Sequence, residues 1–130
     1  MTNDEIIGLL SDLTAQAEGY PRPGTLPWKQ KNPGDLTAAP NSTPTPDGKV
    51  QFVLHSTGWA MLERQWRLML AGNDPEYPAA QTWADLSARY SGQPYPNPWG
   101  QFITSELGVN PQSAVADWLA GHQDPGQPHF

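Results

Sequence analysis

Proline and glycine interrupt this chain so often that they predict a fold rich in fixed turns and short elements. Fifteen prolines and twelve glycines are spread over 130 residues. Seven of the prolines fall between residues 19 and 48, where each one fixes a backbone φ angle and removes an amide donor. The chain is long enough for one hydrophobic core, and we therefore predict a single domain built from short elements.

The first element is predicted to be an amphipathic helix. Its apolar residues recur at the spacing of one buried helix face. They are Ile6, Leu9, Leu10, Leu13 and Ala17. Thr2 and Glu5 match a capping box at the start, and Gly19 matches the residue that follows a helix C-terminus. Glu18 is therefore expected in the last turn, beside unpaired backbone carbonyl groups.

The proline-rich segment after this helix is predicted to have two parts. Residues 20–36 are expected to form an ordered irregular loop, because Tyr20, Trp28 and Leu36 are bulky enough to anchor it. Residues 37–48 carry no such anchors and are expected to form a mobile, exposed insert.

A short strand is predicted after this insert, from Lys49 to Leu54. Asp47-Gly48 is typical of the turn that would lead into it. Val50, Phe52 and Leu54 alternate with other residues, so we expect them on one buried face.

Four further helices are predicted from apolar spacing and capping residues. They are expected from Thr57 to Ala71, from Thr82 to Gly92, from Asn97 to Gly108 and from Asn110 to Gly121. Asn97-Pro98 and Asn110-Pro111 each supply an N-cap followed by proline at the first helical position. Residues 1–121 would form the domain, and residues 122–130 an unstructured tail. The predicted fold class is α+β, mostly α, with about five helices and one short strand or small hairpin.

The charge of the chain argues against two classes of partner. Its formal net charge is -6, and its seven lysines and arginines form no long cluster. Binding to nucleic acid through phosphate neutralisation is therefore not expected. The net charge also gives no attraction to an anionic membrane, so no membrane partner is expected. Arg22, Lys29 and Lys31 could still form a local basic patch.

The chain contains no cysteine, which excludes disulfides, thiolate metal sites and a cysteine nucleophile. His55, His122 and His129 are too scattered along the sequence to indicate a zinc site, so no metal and no cofactor are expected. The segment Met1–Glu5 is acidic where a secretory signal would be basic, and no signal peptide is expected.

Several short motifs follow one another in a characteristic order. They are Glu18-Gly19-Tyr20, Asn32-Pro33-Gly34-Asp35-Leu36, Val50-Gln51-Phe52-Val53-Leu54, Gly58-Trp59-Ala60-Met61-Leu62, Phe102-Ile103 and Leu107-Gly108-Val109. In this order the chain resembles small lysozyme-like proteins of phages and prophages, from about Ile6 to Leu119. The resemblance implies a lysozyme-like fold related to muramidases and lytic transglycosylases, which cut the glycan strands of peptidoglycan. Members of the family are often described as virion structural proteins.

Glu18 is the expected catalytic residue, on two grounds. The resemblance implies that the glutamate ending the first long helix is the general acid. Independently, burial at a helix C-terminus favours the protonated form of a carboxyl group, which acid-catalysed glycosidic cleavage requires. A hydrolase would need a second carboxylate, for which Asp35 is the first candidate and Asp47 the second. Both could instead only end turns, and a transglycosylase would need no second carboxylate.

Four further residues are candidates for binding the glycan. Tyr20 and Trp28 could stack on sugar rings, or could only hold the loop to the core. Asn32 could donate its amide to a sugar, or could hold the loop through an Asx-turn. Gly34 belongs to the Asn-Pro-Gly turn that, by resemblance, lies beside the glycan cleft. Two departures from the family pattern are Asp35, where an asparagine is usual, and Lys29-Gln30-Lys31, where Arg-Asn-Asn is usual.

The sequence therefore predicts peptidoglycan cleavage by a lysozyme-like domain, of either the muramidase or the lytic transglycosylase type. The expected partner is the glycan strand, and the expected location is a virion, or the host cytoplasm before release. The main alternative is a non-catalytic virion structural or assembly protein on the same scaffold, which would bind other virion proteins or itself. A third possibility is a soluble effector that binds a host protein.

Overall fold

The computed structural model describes residues 1–130 and consists of six helices and four very short strands. The helices are α1 (Asn3–Ala17), α2 (Leu26–Lys29), α3 (His55–Ala71), α4 (Trp83–Ser91), α5 (Pro98–Leu107) and α6 (Val115–His122). The strands are β1 (Thr43–Pro44), β2 (Val50–Gln51), β3 (Asn73–Asp74) and β4 (Tyr77–Pro78). β1 pairs antiparallel with β2, and β3 with β4. The predicted class, α+β and mostly α, is confirmed, with a sixth helix and a second hairpin in addition. No helix has both the length and the apolar character needed to cross a lipid bilayer.

A column of three aromatic rings crosses the main core, which α1, α3, α4 and α5 enclose. Trp66 of α3 stacks on Trp99 of α5, with ring centroids 6.1 Å apart, and Trp99 stacks on Tyr90 of α4 at 4.5 Å. The Trp66 indole N–H donates to Thr14 Oγ1 of α1 at 2.9 Å. At the other end of the column, the Tyr90 hydroxyl donates to the carbonyl of Gly34. The column therefore connects α1 through the core to the irregular loop.

The loop containing residues 31–36 lies directly against α3, and Gly58 permits this contact. A Cβ atom at Gly58 would lie 2.0 Å from the carbonyl oxygen of Lys31 and 3.0 Å from Cδ of Pro33. Any side chain larger than hydrogen would therefore push the loop away from the helix. Leu36, Val50 and Phe52 form a second small core on the other side of the loop.

The predicted strand is shorter than expected, and one of its residues lies elsewhere. Val50 and Phe52 are buried as expected, but strand pairing ends at Gln51. The prediction that Leu54 lies on the buried face is wrong, because the chain turns into α3 after Phe52. Leu54 occupies the N-cap position of α3, and its side chain is 58% exposed.

The last predicted helix begins later than expected. Asn110 does not cap a helix, and its side chain instead accepts from the Gln112 amide in a turn. The following residues pair with the start of α4, where Ala84 N–H donates to Pro111 O at 2.8 Å and Trp83 N–H donates to Ser113 O at 3.2 Å. These non-local hydrogen bonds hold residues 111–113 in a turn against α4, and α6 begins only at Val115.

The C-terminal segment, predicted to be an unstructured tail, folds back onto the domain. Gln127 accepts a hydrogen bond from the Asn3 amide at 3.0 Å, and His129 Nε2 lies 2.9 Å from the carbonyl oxygen of Ala71. Phe130 packs against the main core. The tail prediction is therefore corrected, and the reason is that distant residues of α1 and α3 provide partners that local sequence does not reveal. The insert of residues 37–48 likewise contains β1.

We expect two glycine-to-alanine substitutions in helices to have opposite effects on stability. Gly58→Ala should lower the free energy of unfolding by at least about 2 kcal/mol, because the new methyl group overlaps the Lys31 carbonyl. Gly8→Ala in α1 meets no atom within 4 Å and should raise it by about 0.5 to 1 kcal/mol. Urea unfolding measures both changes, and equal effects for the two variants would contradict the close approach of the loop to α3.

Candidate active site

Glu18 ends α1 and lies at the wall of an open cavity. Its backbone amide continues the helical pattern by donating to Thr14 O at 3.0 Å, and Gly19, with φ +75°, then turns the chain away. The Glu18 side chain is partly buried. It lines a cavity of about 240 Å³ together with Tyr90 and Trp99. The sequence-based placement of Glu18 at the helix end is confirmed.

Asp35, at the end of the irregular loop, lines the same cavity as Glu18. Its backbone has a φ of +50°, in the left-handed region that, among residues with a side chain, asparagine and aspartate adopt most readily. Its carboxylate forms an ion pair with Lys49 Nζ at 3.1 Å, and both side chains are partly buried. Lys49 directly precedes β2, so the first hairpin positions the cation beside the two acids.

The Asn32 side chain fixes the shape of this loop. Its Nδ2 donates to the carbonyl oxygens of Leu36 at 3.0 Å and Val50 at 2.9 Å, and its Oδ1 accepts from the Leu36 amide at 2.9 Å. Asn32 has no exposed surface. Of the two roles considered for it, the structure therefore supports the one of holding the loop, and a sugar could not reach its amide.

Gly34 allows the loop to pack closely against α3 and α4. A Cβ atom there would lie 2.7 Å from Cδ1 of Leu62 and 2.9 Å from the Tyr90 hydroxyl oxygen. The residue is buried and does not line the cavity around Glu18. Gly34 thus lets the loop come close enough to Tyr90 and α3 to place Asp35 beside Glu18.

Tyr20 and Trp28 lie in an aromatic group away from Glu18. The Tyr20 hydroxyl bonds to Nδ1 of His55, and its ring meets Trp59 edge to face with centroids 5.6 Å apart. The Trp28 ring lies 5.7 Å from the His55 ring. Neither residue lines the cavity of Glu18. In the structure both attach the loop to the start of α3, which is the second of the two roles considered for them.

The environment of Glu18 favours its protonated form. The pKa of Glu18 is raised from its ordinary value of 4.5 to about 7, chiefly by burial and then by the neighbouring negative charge of Asp35. The positive charge of Lys49 acts in the opposite direction, and a hydrogen bond with the Asp35 carboxyl adds to the increase. Glu18 can therefore hold a proton near neutral pH and donate it.

A second cavity of about 460 Å³ adjoins the first and extends it. Asp35, Lys49, Tyr90 and Ser91 line both, so the two cavities together form a groove, which has Glu18 at one end. Its far part has Arg89, Asp74 and Glu76 among its lining residues. Each of these charged side chains can bind hydroxyl or amide groups. The groove is therefore suited to an extended polar ligand rather than to a single small molecule.

Several residues of the groove were not found from the sequence. Tyr90 and Trp99 have the spacing of helical core residues, and nothing local indicates that the edges of their rings line a cavity. The sequence around Lys49 indicates only the start of a strand.

Asp47, the second candidate for a catalytic carboxylate, lies outside the groove. Its side chain accepts hydrogen bonds from Thr45, Gln30 and the Lys49 amide.

A larger apolar cavity of about 530 Å³ lies between α3, α6 and the C-terminal segment. No aspartate, glutamate, lysine or arginine lines it, and its one titratable side chain, His129, is bonded to the carbonyl oxygen of Ala71. Histidine, aspartate and glutamate side chains form no group of three that could hold a metal ion. The groove is therefore the candidate active site.

Comparison with known proteins adds no relative. No protein-family model, no curated protein and no solved structure matches the chain.

We expect Glu18→Gln to stabilise the protein at alkaline pH and to have little effect in acid. Below about pH 4.5 the carboxyl is protonated in both the folded and the unfolded chain. Between about pH 4.5 and 7 only the folded protein keeps the proton, so the free energy of unfolding falls as the pH rises through this window. At about pH 8 the variant should be more stable than wild type by roughly 1 to 3 kcal/mol.

Urea unfolding at several pH values measures this difference. Glu106→Gln is the matched control, because it removes the same charge from an exposed position on α5. A stability difference between Glu18→Gln and wild type that does not change with pH would contradict the raised pKa of Glu18.

Proposed function

We propose that this protein cleaves the glycan strands of peptidoglycan, with Glu18 as the general acid. The observation that carries the proposal is a carboxyl group that stays protonated near neutral pH at the wall of an open groove. Acid-catalysed cleavage needs such a group, because the leaving oxygen must gain a proton as its bond breaks. The resemblance of the sequence motifs to lysozyme-like phage proteins supports peptidoglycan as the substrate.

In the proposed reaction, Glu18 gives its proton to the glycosidic oxygen. The bond between this oxygen and the anomeric carbon breaks, and both of its electrons go to the oxygen. A hydroxyl oxygen, from water or from C6 of the same sugar, then attacks the oxocarbenium-like carbon. The proton that this hydroxyl loses returns to the Glu18 carboxylate, which restores the acid for the next cycle.

The position of Asp35 favours attack by the C6 hydroxyl. The two carboxyl groups of glycosidases stand about 5 to 5.5 Å apart in retaining enzymes and about 6.5 to 9.5 Å apart in inverting ones. Asp35 lines the same cavity as Glu18 and its negative charge raises the pKa of Glu18, while its carboxylate is also paired with Lys49 at 3.1 Å, so Asp35 is engaged with both neighbours rather than free to act as a nucleophile or base. We assign to Asp35 the role of keeping Glu18 protonated, and we expect an anhydro sugar as the product.

Lys49 completes this arrangement through its ion pair with Asp35. We assign to Lys49 the role of positioning the Asp35 carboxylate in the cavity that both residues share with Glu18. We place the protein in a virion, or in the host cytoplasm before release, as the resemblance to phage proteins implies.

We expect Glu18→Gln to reduce the rate of peptidoglycan cleavage by at least about 100-fold, because an amide cannot donate the required proton at this step. The activity of wild type should decline above about pH 7, as the acid loses its proton. Loss of turbidity of purified cell walls measures the rate, and mass spectrometry of the released fragments distinguishes anhydro from hydrolytic ends.

Glu106→Gln again serves as the control and should cleave like wild type. Equal cleavage by wild type and Glu18→Gln would reject Glu18 as the acid. No cleavage by wild type at any pH would reject the proposed activity and leave the alternative of a virion structural or assembly protein.

We expect Asp35→Asn to stay active but to lose activity at lower pH than wild type. Removing the negative charge of Asp35 lowers the pKa of Glu18, so the alkaline limb of the pH profile should move down by about 1 pH unit. Asparagine also tolerates the left-handed backbone at this position, so the loop should keep its shape. Complete loss of cleavage at every pH would instead make Asp35 a nucleophile or base, as in a hydrolase.

A further inference from the structure

The exposed apolar side chains of the protein are concentrated at one place, away from the groove. Four large hydrophobic residues are exposed, namely Leu26 (50%), Trp28 (38%), Val53 (85%) and Leu54 (58%). They belong to two chain segments, α2 and the residues just before α3. We call the surface formed by these two segments the apolar patch.

Two contacts join the segments into one surface. The Phe52 amide donates to the carbonyl oxygen of Gln30 at 2.9 Å, which ties the residue before Val53 to the residue after α2. The Trp28 ring lies 5.7 Å from the ring of His55, the residue after Leu54. Trp28 therefore lies close to the residue that follows Val53 and Leu54 in the chain, and Leu26 is two residues before Trp28 in α2.

Leu54 occupies a position where leucine is a poor choice for folding. It is the N-cap of α3, and no side chain caps this helix. Serine, threonine, aspartate or asparagine at an N-cap would accept a hydrogen bond from the first turn, which leucine cannot do. An exposed leucine at this position neither caps α3 nor packs into the core. Its apolar surface is therefore available to contact a partner outside the chain.

Two lysines lie beside the apolar patch, although the protein as a whole is acidic. Arg22, Lys29 and Lys31 lie in a stretch, residues 19–34, that contains no aspartate or glutamate. Lys29 and Lys31 share with Val53 a cavity of about 330 Å³ whose wall has no acidic residue. Neither lysine forms an ion pair within the protein.

From these observations we infer that the apolar patch and its lysines bind the surface of an anionic lipid bilayer. Tryptophan and aliphatic side chains beside lysines are the combination that inserts shallowly among charged headgroups. The expectation of no membrane partner rested on the net charge, whereas the charge at this surface has the opposite sign. Binding of this kind needs no helix that crosses the bilayer.

Other occupants fit the surface less well. A second copy of this chain, related by a two-fold axis, would bring Lys29 and Lys31 close to their own equivalents. A hydrated anionic polymer could pair with the lysines but offers no apolar medium for Val53 and Leu54. A lipid surface satisfies both the charge and the apolar side chains.

Sedimentation of the whole protein with vesicles tests the inference. Wild type should bind vesicles of phosphatidylglycerol and phosphatidylcholine more tightly than vesicles of phosphatidylcholine alone. Leu54→Ser should weaken binding about tenfold or more, because a leucine no longer enters the bilayer. The same variant should raise the melting temperature by roughly 3 °C, because serine caps α3. Weaker binding in a more stable protein cannot result from unfolding.

A charge-matched pair of variants tests the basic residues. Lys29→Gln should weaken binding to the anionic vesicles about fivefold. Arg64→Gln, an exposed position nine residues beyond His55 along α3, should change it by less than about twofold, since it lies beyond a Debye length from the patch.

Three results would overturn the inference. They are equal binding of wild type to charged and neutral vesicles, equal binding by wild type and Leu54→Ser, and sedimentation with purified cell walls that depends on Lys29 but not on Leu54. Concentration-dependent dimerisation that Leu54→Ser abolishes, without any binding to vesicles, would also overturn it, in favour of a second copy as the occupant.

Discussion

The region around the groove depends on the buried side-chain amide of Asn32. Its three hydrogen bonds join the irregular loop to itself and to β2, where the strands are too short to do so by their own pairing. Without this amide, the Leu36 N–H and the carbonyls of Leu36 and Val50 would lose a buried partner, at a cost of about 1 to 3 kcal/mol for each group left unpaired. The loop would then no longer hold Asp35 against the end of α1.

The carboxyl pair carries two energetic costs that the surrounding structure offsets. Asp35 adopts a left-handed backbone, which costs about 1 kcal/mol for a residue with a side chain. Its ion pair with Lys49 compensates part of this cost. Glu18 is partly withdrawn from water, and it avoids the cost of a buried charge by keeping its proton. A carboxyl group that holds a proton in this way makes the protein less stable at alkaline pH than a neutral residue at the same position would.

Local signals explain which parts of the fold could be predicted from the sequence. The capping boxes of Thr2 and Thr82 and the Asn97 cap act within one helical turn, so α1, α4 and α5 begin where the sequence indicates. The start of α6 could not be predicted, because the residues after Asn110 pair with α4, and the C-terminal segment finds its partners more than fifty residues away.

The same distinction holds for the site. Glu18 is predicted from its position at a helix end and Asp35 from its position in a turn, and both residues line the groove. Lys49 and Tyr90 reach them only through tertiary packing, which no local pattern encodes. The two roles considered for Asn32, binding a sugar and holding the loop, could be distinguished only by the burial of its side-chain amide in the structure.

The stacking of Trp99 on Tyr90 has a practical consequence. The Trp99 indole lines the cavity that contains Glu18, and its N–H is buried without a hydrogen-bond acceptor. Its emission therefore depends on the electric field of the adjacent acid and on whatever fills the space beside it. The molecule thus carries an intrinsic fluorescent reporter, through which titration and occupancy of the groove become visible in the unlabelled protein.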